Sequence, residues 1–143
     1  MDERDTEILK ALVKNARISY VELSKKLKIS EAAVRKRVKK LEANGVVKGF
    51  TALVDPETLG YSAVAIIGID TKPDELMSVL ELVKGMKDVR YAALSSGDHM
   101  IIFEAWCKDQ SELSSLIKKV KGAQGVTKIC PAILLKSKEF SNR

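Results

Sequence analysis

The sequence predicts an α+β chain in two parts. These are an N-terminal winged helix-turn-helix over residues 1–50 and a C-terminal ferredoxin-like βαββαβ domain over 63–143, joined by a hinge strand and linker at 51–62. Three observations predict this: positive charge is concentrated in the first part, two short capped helices stand there with the second strongly basic, and the second part carries an internal repeat displaced by 37 positions.

Residues 1–50 hold 13 Lys and Arg against 7 Asp and Glu, which accounts for the whole net charge of +6, whereas residues 51–143 are balanced. Such asymmetry is a footprint of nucleic-acid binding, with a solvated basic surface or an anionic membrane as the alternatives. The longest uncharged run, Thr58 to Ile69, covers 12 residues. A membrane-spanning helix needs ~20, so no membrane partner is expected. The start Met1-Asp2-Glu3-Arg4 is acidic and lacks an apolar signal core, which points to the cytoplasm. Two small domains in 143 residues each bury a modest core, which favours self-association. Cys107 and Cys130 lie in apolar strand-like runs without metal-ligand spacing and read as small buried hydrophobes.

In the first part, Ile8, Leu9, Leu12 and Ala16 recur at helical spacing over Thr6 to Ala16, with Asp2, Glu3 and Asp5 near the positive end of that helix. Ser19 and Glu22 have the spacing of a capping box and open a second helix that ends near Leu27. Ser30 caps a third, with Glu31 in its first turn, and Asn44-Gly45 closes it after Glu42. Two helices joined by a turn of about three residues, the second basic, have the layout of a helix-turn-helix. On that second helix Val34, Val38 and Leu41 fall within ~60° and form the buried stripe. Ala32, Lys36, Lys39 and Lys40 point away from it and Arg35 and Arg37 flank it.

A groove of duplex DNA would therefore meet Ser30, Glu31, Ala32, Arg35, Lys36, Arg37, Lys39 and Lys40, some at bases and the rest at phosphates. The competing reading is a solvated face. It is disfavoured because five basic residues and no acid stand between Val34 and Leu41, where a solvated face intersperses acids for pairing. The run Val46 to Val54 reads as β-structure that supplies the wing and the exit strand, with Lys48 at the DNA backbone.

Asp55-Pro56-Glu57-Thr58-Leu59-Gly60 is turn-rich and marks the boundary. Beyond it the pattern reads strand (Ala63 to Asp70), helix (Asp74 to Lys84), strand (Val89 to Ser95), strand (Met100 to Cys107), helix (Ser111 to Lys121) and strand (Val126 to Leu135). The stripe Leu76, Val79, Leu80, Val83 repeats as Leu113, Leu116, Ile117, Val120, and Val83-Lys84-Gly85 repeats as Val120-Lys121-Gly122. Two such units in tandem form a ferredoxin-like sheet with both helices on one face. The strands alternate weakly, so the other face keeps apolar area that a second sheet would cover. Pro131 lies in the last strand, an edge in this fold, where its missing donor is tolerated.

Taken together, Asp2, Asp5, Ile8-Leu9, Leu12, Asn15-Ala16-Arg17-Ile18-Ser19, Glu22-Leu23-Ser24, Ser30, Val34-Arg35, Arg37-Val38, Leu41-Glu42, Gly45-Val46-Val47, Asp55-Pro56 and Leu59-Gly60-Tyr61 resemble the Lrp/AsnC family of feast/famine transcription regulators, of the archaeal type, over nearly the whole chain. The resemblance implies a sequence-specific DNA-binding regulator whose C-terminal half is an effector-binding domain, called RAM in the family. It implies dimers that assemble into tetramers or octamers, a pseudopalindromic operator in double-stranded DNA, and amino acids as common effectors. The effector would lie between subunits at the loop joining strands two and three, here Ser96, Gly97, Asp98, His99 and Met100. The family pattern there is Gly-Asp-x-Asp, and Met100 stands in the place of the second acid, so a partner for an amino group is replaced by a thioether.

Ser96-Gly97-Asp98 reads equally as a hairpin turn. His99 reads as an exposed loop imidazole, and Trp106 and Tyr91 read as packing or interface residues. No nucleophile with a paired base, Gly-rich phosphate loop or cysteine cluster appears, so no enzyme, cofactor or metal is expected. Two alternatives stand beside the regulator. Siroheme decarboxylases are similar to this family, although a tetrapyrrole gives no reason for an acid-free basic helix. A nucleoid-organising protein would use the same head to coat DNA with little sequence preference.

Overall fold

The computed structural model describes residues 1–135, so the end of the expected C-terminal domain, 136–143, lies outside the described residues. The chain divides into two units, the first covering Met1–Leu53 and the second beginning at Val54.

The first unit is three helices, α1 (Glu3–Lys14), α2 (Tyr20–Leu27) and α3 (Glu31–Ala43). α1 starts three residues before the expected Thr6 because Asp2 and Asp5 cap it reciprocally: each side chain accepts the other's backbone N–H. At α2 the Ser19 hydroxyl accepts from the Glu22 N–H at 3.0 Å, and at α3 the Ser30 hydroxyl accepts from the Ala33 N–H at 3.1 Å. Lys28, with φ 52°, makes the left-handed turn between α2 and α3. Ile8, Ala11, Leu12, Leu23, Leu27, Val34, Val38 and Leu41 form the core, which includes the whole stripe expected of α3.

The β-structure expected over Val46 to Val54 does not form. The Val46 and Val47 N–H groups both donate to the Leu41 carbonyl, so the start of this segment closes α3 instead of entering a ladder. No strand among the described residues pairs with the remainder, and alternation of apolar residues makes a strand only where a partner accepts its backbone groups.

The second unit is β1 (Ala63–Thr71), α4 (Leu76–Lys84), β2 (Val89–Leu94), β3 (Ile101–Cys107), α5 (Gln110–Lys121) and β4 (Val126–Ile133). Its strands form one antiparallel sheet in the order β2-β3-β1-β4, the ferredoxin-like arrangement expected from the repeat. A 3-10 turn at Pro73–Glu75 occupies the expected first turn of α4. β4 is an edge, and Pro131 lies on it opposite Ile67.

Alternation is sharper than the composition suggested. Ala63, Ala65, Ile67, Ile69, Ile101, Phe103, Ala105 and Cys107 pack under Val79, Leu80, Val83, Leu113, Leu116 and Val120 of the helices. The opposite face carries Val64, Ile66, Gly68, Asp70, Ile102, Glu104 and Trp106 in register, with Tyr91 and Ala93 of β2 beside them. Among the described residues no helix of this unit covers this side; Ile66 and Tyr91 are exposed. Cys107 is buried and free, and burial pushes its thiol up to about 11. Cys130, expected to be buried, is half-buried, because its position opposite Gly68 puts it on the uncovered face.

Candidate nucleic-acid interface

The N-caps fix the start of α3 and Val34, Val38 and Leu41 fix its roll. Ser30, Glu31, Ala32, Arg35, Lys36, Lys39 and Lys40 are consequently exposed and Arg37 is half-buried. The five cations of this helix fall into two kinds. Lys36, Lys39 and Lys40 have no ion pair among the described residues. Both arginines are held. Arg35 Nη2 lies 2.8 Å from Glu31 Oε1, one turn earlier, and its guanidinium stacks over the Tyr20 ring at 5.1 Å from the centroid. Arg37 Nη1 lies 2.7 Å from both Asp2 Oδ2 and Asp5 Oδ1.

The shortage of acids in the run Val34 to Leu41 therefore overstates the repulsion on α3, since the counter-charges come from Glu31 in the preceding turn and from the start of α1. The Arg37 guanidinium holds the Asp5 carboxyl below its ordinary range, helped by the Asp2 N–H. The Asp5 N–H does the same for Asp2, helped by Arg37. Arg37 is in turn raised by Asp5 first and Asp2 second. Lys48 is exposed in the segment after α3.

The loop expected to hold an effector splits into two groups. Ser96, Gly97 and Asp98 are exposed at the turn, where the Gly97 N–H donates to Ser95 Oγ at 3.2 Å. His99 and Met100 instead fold onto β1. The Met100 N–H donates to the Ile69 carbonyl at 3.0 Å, and the Met100 thioether receives the Thr71 N–H at 3.5 Å. Met100 is thus occupied within its own chain.

His99, expected as an exposed loop imidazole, has a side chain only 22% exposed, with Nδ1 3.4 Å from Asp70 Oδ1. Its ring lies so close against Gly68 that a Cβ there would clash with it. The glycine inside β1 is the sequence signal for this contact, since glycine within a strand often marks a close approach. Tyr61 and Trp106 pack against one another at 5.8 Å between ring centroids. The Arg90 guanidinium lies 5.1 and 5.0 Å from their rings, and the indole N–H of Trp106 donates to Glu104. Among the described residues there is no cluster of three or more metal-ligating side chains and no helix long and apolar enough to cross a membrane.

Residues 1–48 match a family model described as winged helix-turn-helix DNA-binding, and residues 64–141 match one described as the Lrp/AsnC ligand binding domain. The HTH-type transcriptional regulator LrpA of Pyrococcus horikoshii is 50% identical over 136 residues, covering 94% of this chain and 96% of that protein. The structure of E. coli AsnC superposes with a TM-score of 0.76 at 28% identity, over 100% of this chain and 97% of that one. A Neisseria meningitidis transcriptional regulator solved as a complex with L-Met shares the fold, with a TM-score of 0.77 at 24% identity over 95% of this chain and 90% of that one. A helix-turn-helix with a cationic outer face, followed by a ferredoxin-like ligand-binding domain, makes this chain a DNA-binding transcriptional regulator, a member of the Lrp/AsnC family.

Proposed function

We propose that this regulator acts as a homodimer or higher oligomer that sets two copies of α3 into successive major grooves of a pseudopalindromic operator. The observation that carries this reading is the outward face of α3, where Lys36, Lys39 and Lys40 stand exposed around the small Ala32 with no ion pair among the described residues. Ala32, Lys36 and Lys39 would approach base edges, with Arg35 swinging out from Glu31 to join them. Ser30, Lys40 and Lys48 would lie along the backbone. The uncovered apolar side of the sheet supports self-association, because Ile66 and Tyr91 remain exposed until a second copy covers them. A cationic helix gives a reason for binding DNA and none for catalysis, which favours a binder over an enzyme.

Ser96, Gly97, Asp98 and His99 would line an effector site between subunits, and the L-Met bound by the Neisseria regulator supports an amino acid as the ligand class. Met100, turned inward to Thr71, would shape that site from beneath without touching the ligand. An effector acting on assembly shifts DNA affinity only by its different affinities for the oligomeric states, typically ~1–3 kcal/mol.

Selection of bound sequences from a random duplex pool, with and without a panel of amino acids, tests this reading. The expected product is a pair of related half-sites about 10 base pairs apart, bound at least ~10³-fold more tightly than scrambled duplex. Lys36→Ala should flatten the salt dependence by about one unit of slope. A monomer whose affinity is insensitive to salt would overturn the regulator. Tight binding without sequence preference would point to a DNA-coating protein, and a Soret band without DNA retardation to a tetrapyrrole enzyme.

A further inference from the structure

Arg37 reaches from the middle of α3 to the first turn of α1, 32 and 35 positions earlier in the chain, and places one nitrogen 2.7 Å from an oxygen of each aspartate. The second oxygen of each carboxylate is already engaged. Asp2 Oδ1 accepts the Asp5 N–H at 2.9 Å and Asp5 Oδ2 accepts the Asp2 N–H at 3.1 Å. All four carboxylate oxygens therefore have donors, and the capping box aims the two remaining oxygens at a single point that Arg37 fills. The inner pair is shielded, with side-chain exposures of 14% for Asp5 and 28% for Arg37, while Asp2 on the outside is 54% exposed.

Counted together, the three groups carry one negative charge. A phosphate approaching Arg37 meets two carboxylates for one cation, whereas Lys36, Lys39 and Lys40 have no acidic partner among the described residues. We propose that Arg37 is a positioning residue: held by Asp2 and Asp5, it locks α3 to the start of α1 and leaves the phosphate contacts to the lysines. This rests on the reading of α3 as the DNA-facing helix. Base contacts are short and directional while phosphate attraction is long-ranged, so a recognition helix that can rock loses the first before the second. The triad therefore governs how strongly operator is preferred over other DNA.

The test uses the full chain with its best selected duplex and a scrambled duplex of equal length, titrated across a range of salt. D5N and R37M should each lower the specific-to-nonspecific ratio by about tenfold, and D5N/R37M should be no worse than either single variant, as expected for one coupled unit. D2N, which keeps the inner pair, should lose less. R37M should leave the salt slope on scrambled duplex unchanged. A slope shallower by about 0.9 with equal loss on both duplexes would make Arg37 a phosphate contact and overturn the proposal. So would a parent-like ratio in D5N and R37M. R37Q keeps hydrogen-bonding reach without the charge and gives the same slope reading if circular dichroism finds R37M unfolded. A parent protein without duplex preference sinks the operator reading, while the slope comparison between parent and R37M still decides the role of Arg37.

Discussion

The head closes eight side chains into its core, from Ile8 to Leu41, while the sheet unit closes fifteen around Ile67, Ile69, Ile101 and Phe103. The smaller core is supplemented by polar devices: three helix N-caps and an ion triad that ties the first helix to the third. The larger unit has one helix with a side-chain N-cap, α5 at Asp109, and an ion pair from Lys87 to Glu112, and among the described residues no helix lies over the second face of its sheet. The contrast teaches where each unit spends its polar groups. In the head they fix the attitude of a helix that presents charge, whereas the sheet unit is held mainly by apolar burial.

The largest expected effect breaks the sheet unit. Phe103→Ala removes a fully buried ring and should cost about 3–5 kcal/mol, read from denaturant unfolding by the fluorescence of Trp106, the only tryptophan of the chain. Leu23→Ala, fully buried in the head, should cost about 2–5 kcal/mol and lower the helical circular dichroism transition. An equal drop in the Trp106 transition would show that the two units melt as one. Gly68→Ala must displace the His99 ring and should destabilise by about 1–3 kcal/mol. An unchanged His99 NMR signal would contradict the contact. Ser30→Ala removes the α3 cap at a cost of ~1 kcal/mol, and because the head has the smaller core its transition, not that of Trp106, should move.

The subtlest separation is by pH. The folded Asp2 and Asp5 carboxyls titrate below their ordinary 3.8, so their contribution is complete above that value and is lost as pH falls through the lower folded values. The melting temperature of the head should therefore decline below about pH 4, and the decline should shrink in R37M, where the main cause of the Asp5 shift is gone. In the sheet unit Glu112, lowered by the Lys108 N–H and then by Lys87, gives a decline of the same sign from 4.5 downward.

Much of this was legible in the sequence. Ser19, Ser30 and Gly45 marked helix ends because caps are local chemistry, and the repeat at offset 37 announced two βα units because each must bury the same stripe. The strand over Val46 to Val54 was misread, since this segment has a strand's composition and composition names no partner. The loop was half legible: Gly97 and Asp98 looked like a turn and form one, but nothing near His99 or Met100 in the chain tells that they fold onto Gly68 and Thr71, some 30 residues earlier. For the same reason Arg37 counted as a free cation when only its neighbours along the chain were considered.

By itself the sequence determined the elements, their buried stripes and the concentration of positive charge in the head, because periodicity and capping act over a few residues and leave their mark in order along the chain. Only the tertiary structure decided which of those charges are available. Arg37 is neutralised across more than thirty residues by Asp2 and Asp5, Arg35 leans on Tyr20, and Lys36, Lys39 and Lys40 have no ion pair among the described residues. Electrostatic partnership depends on distance in space, and that distance is set when the helices pack.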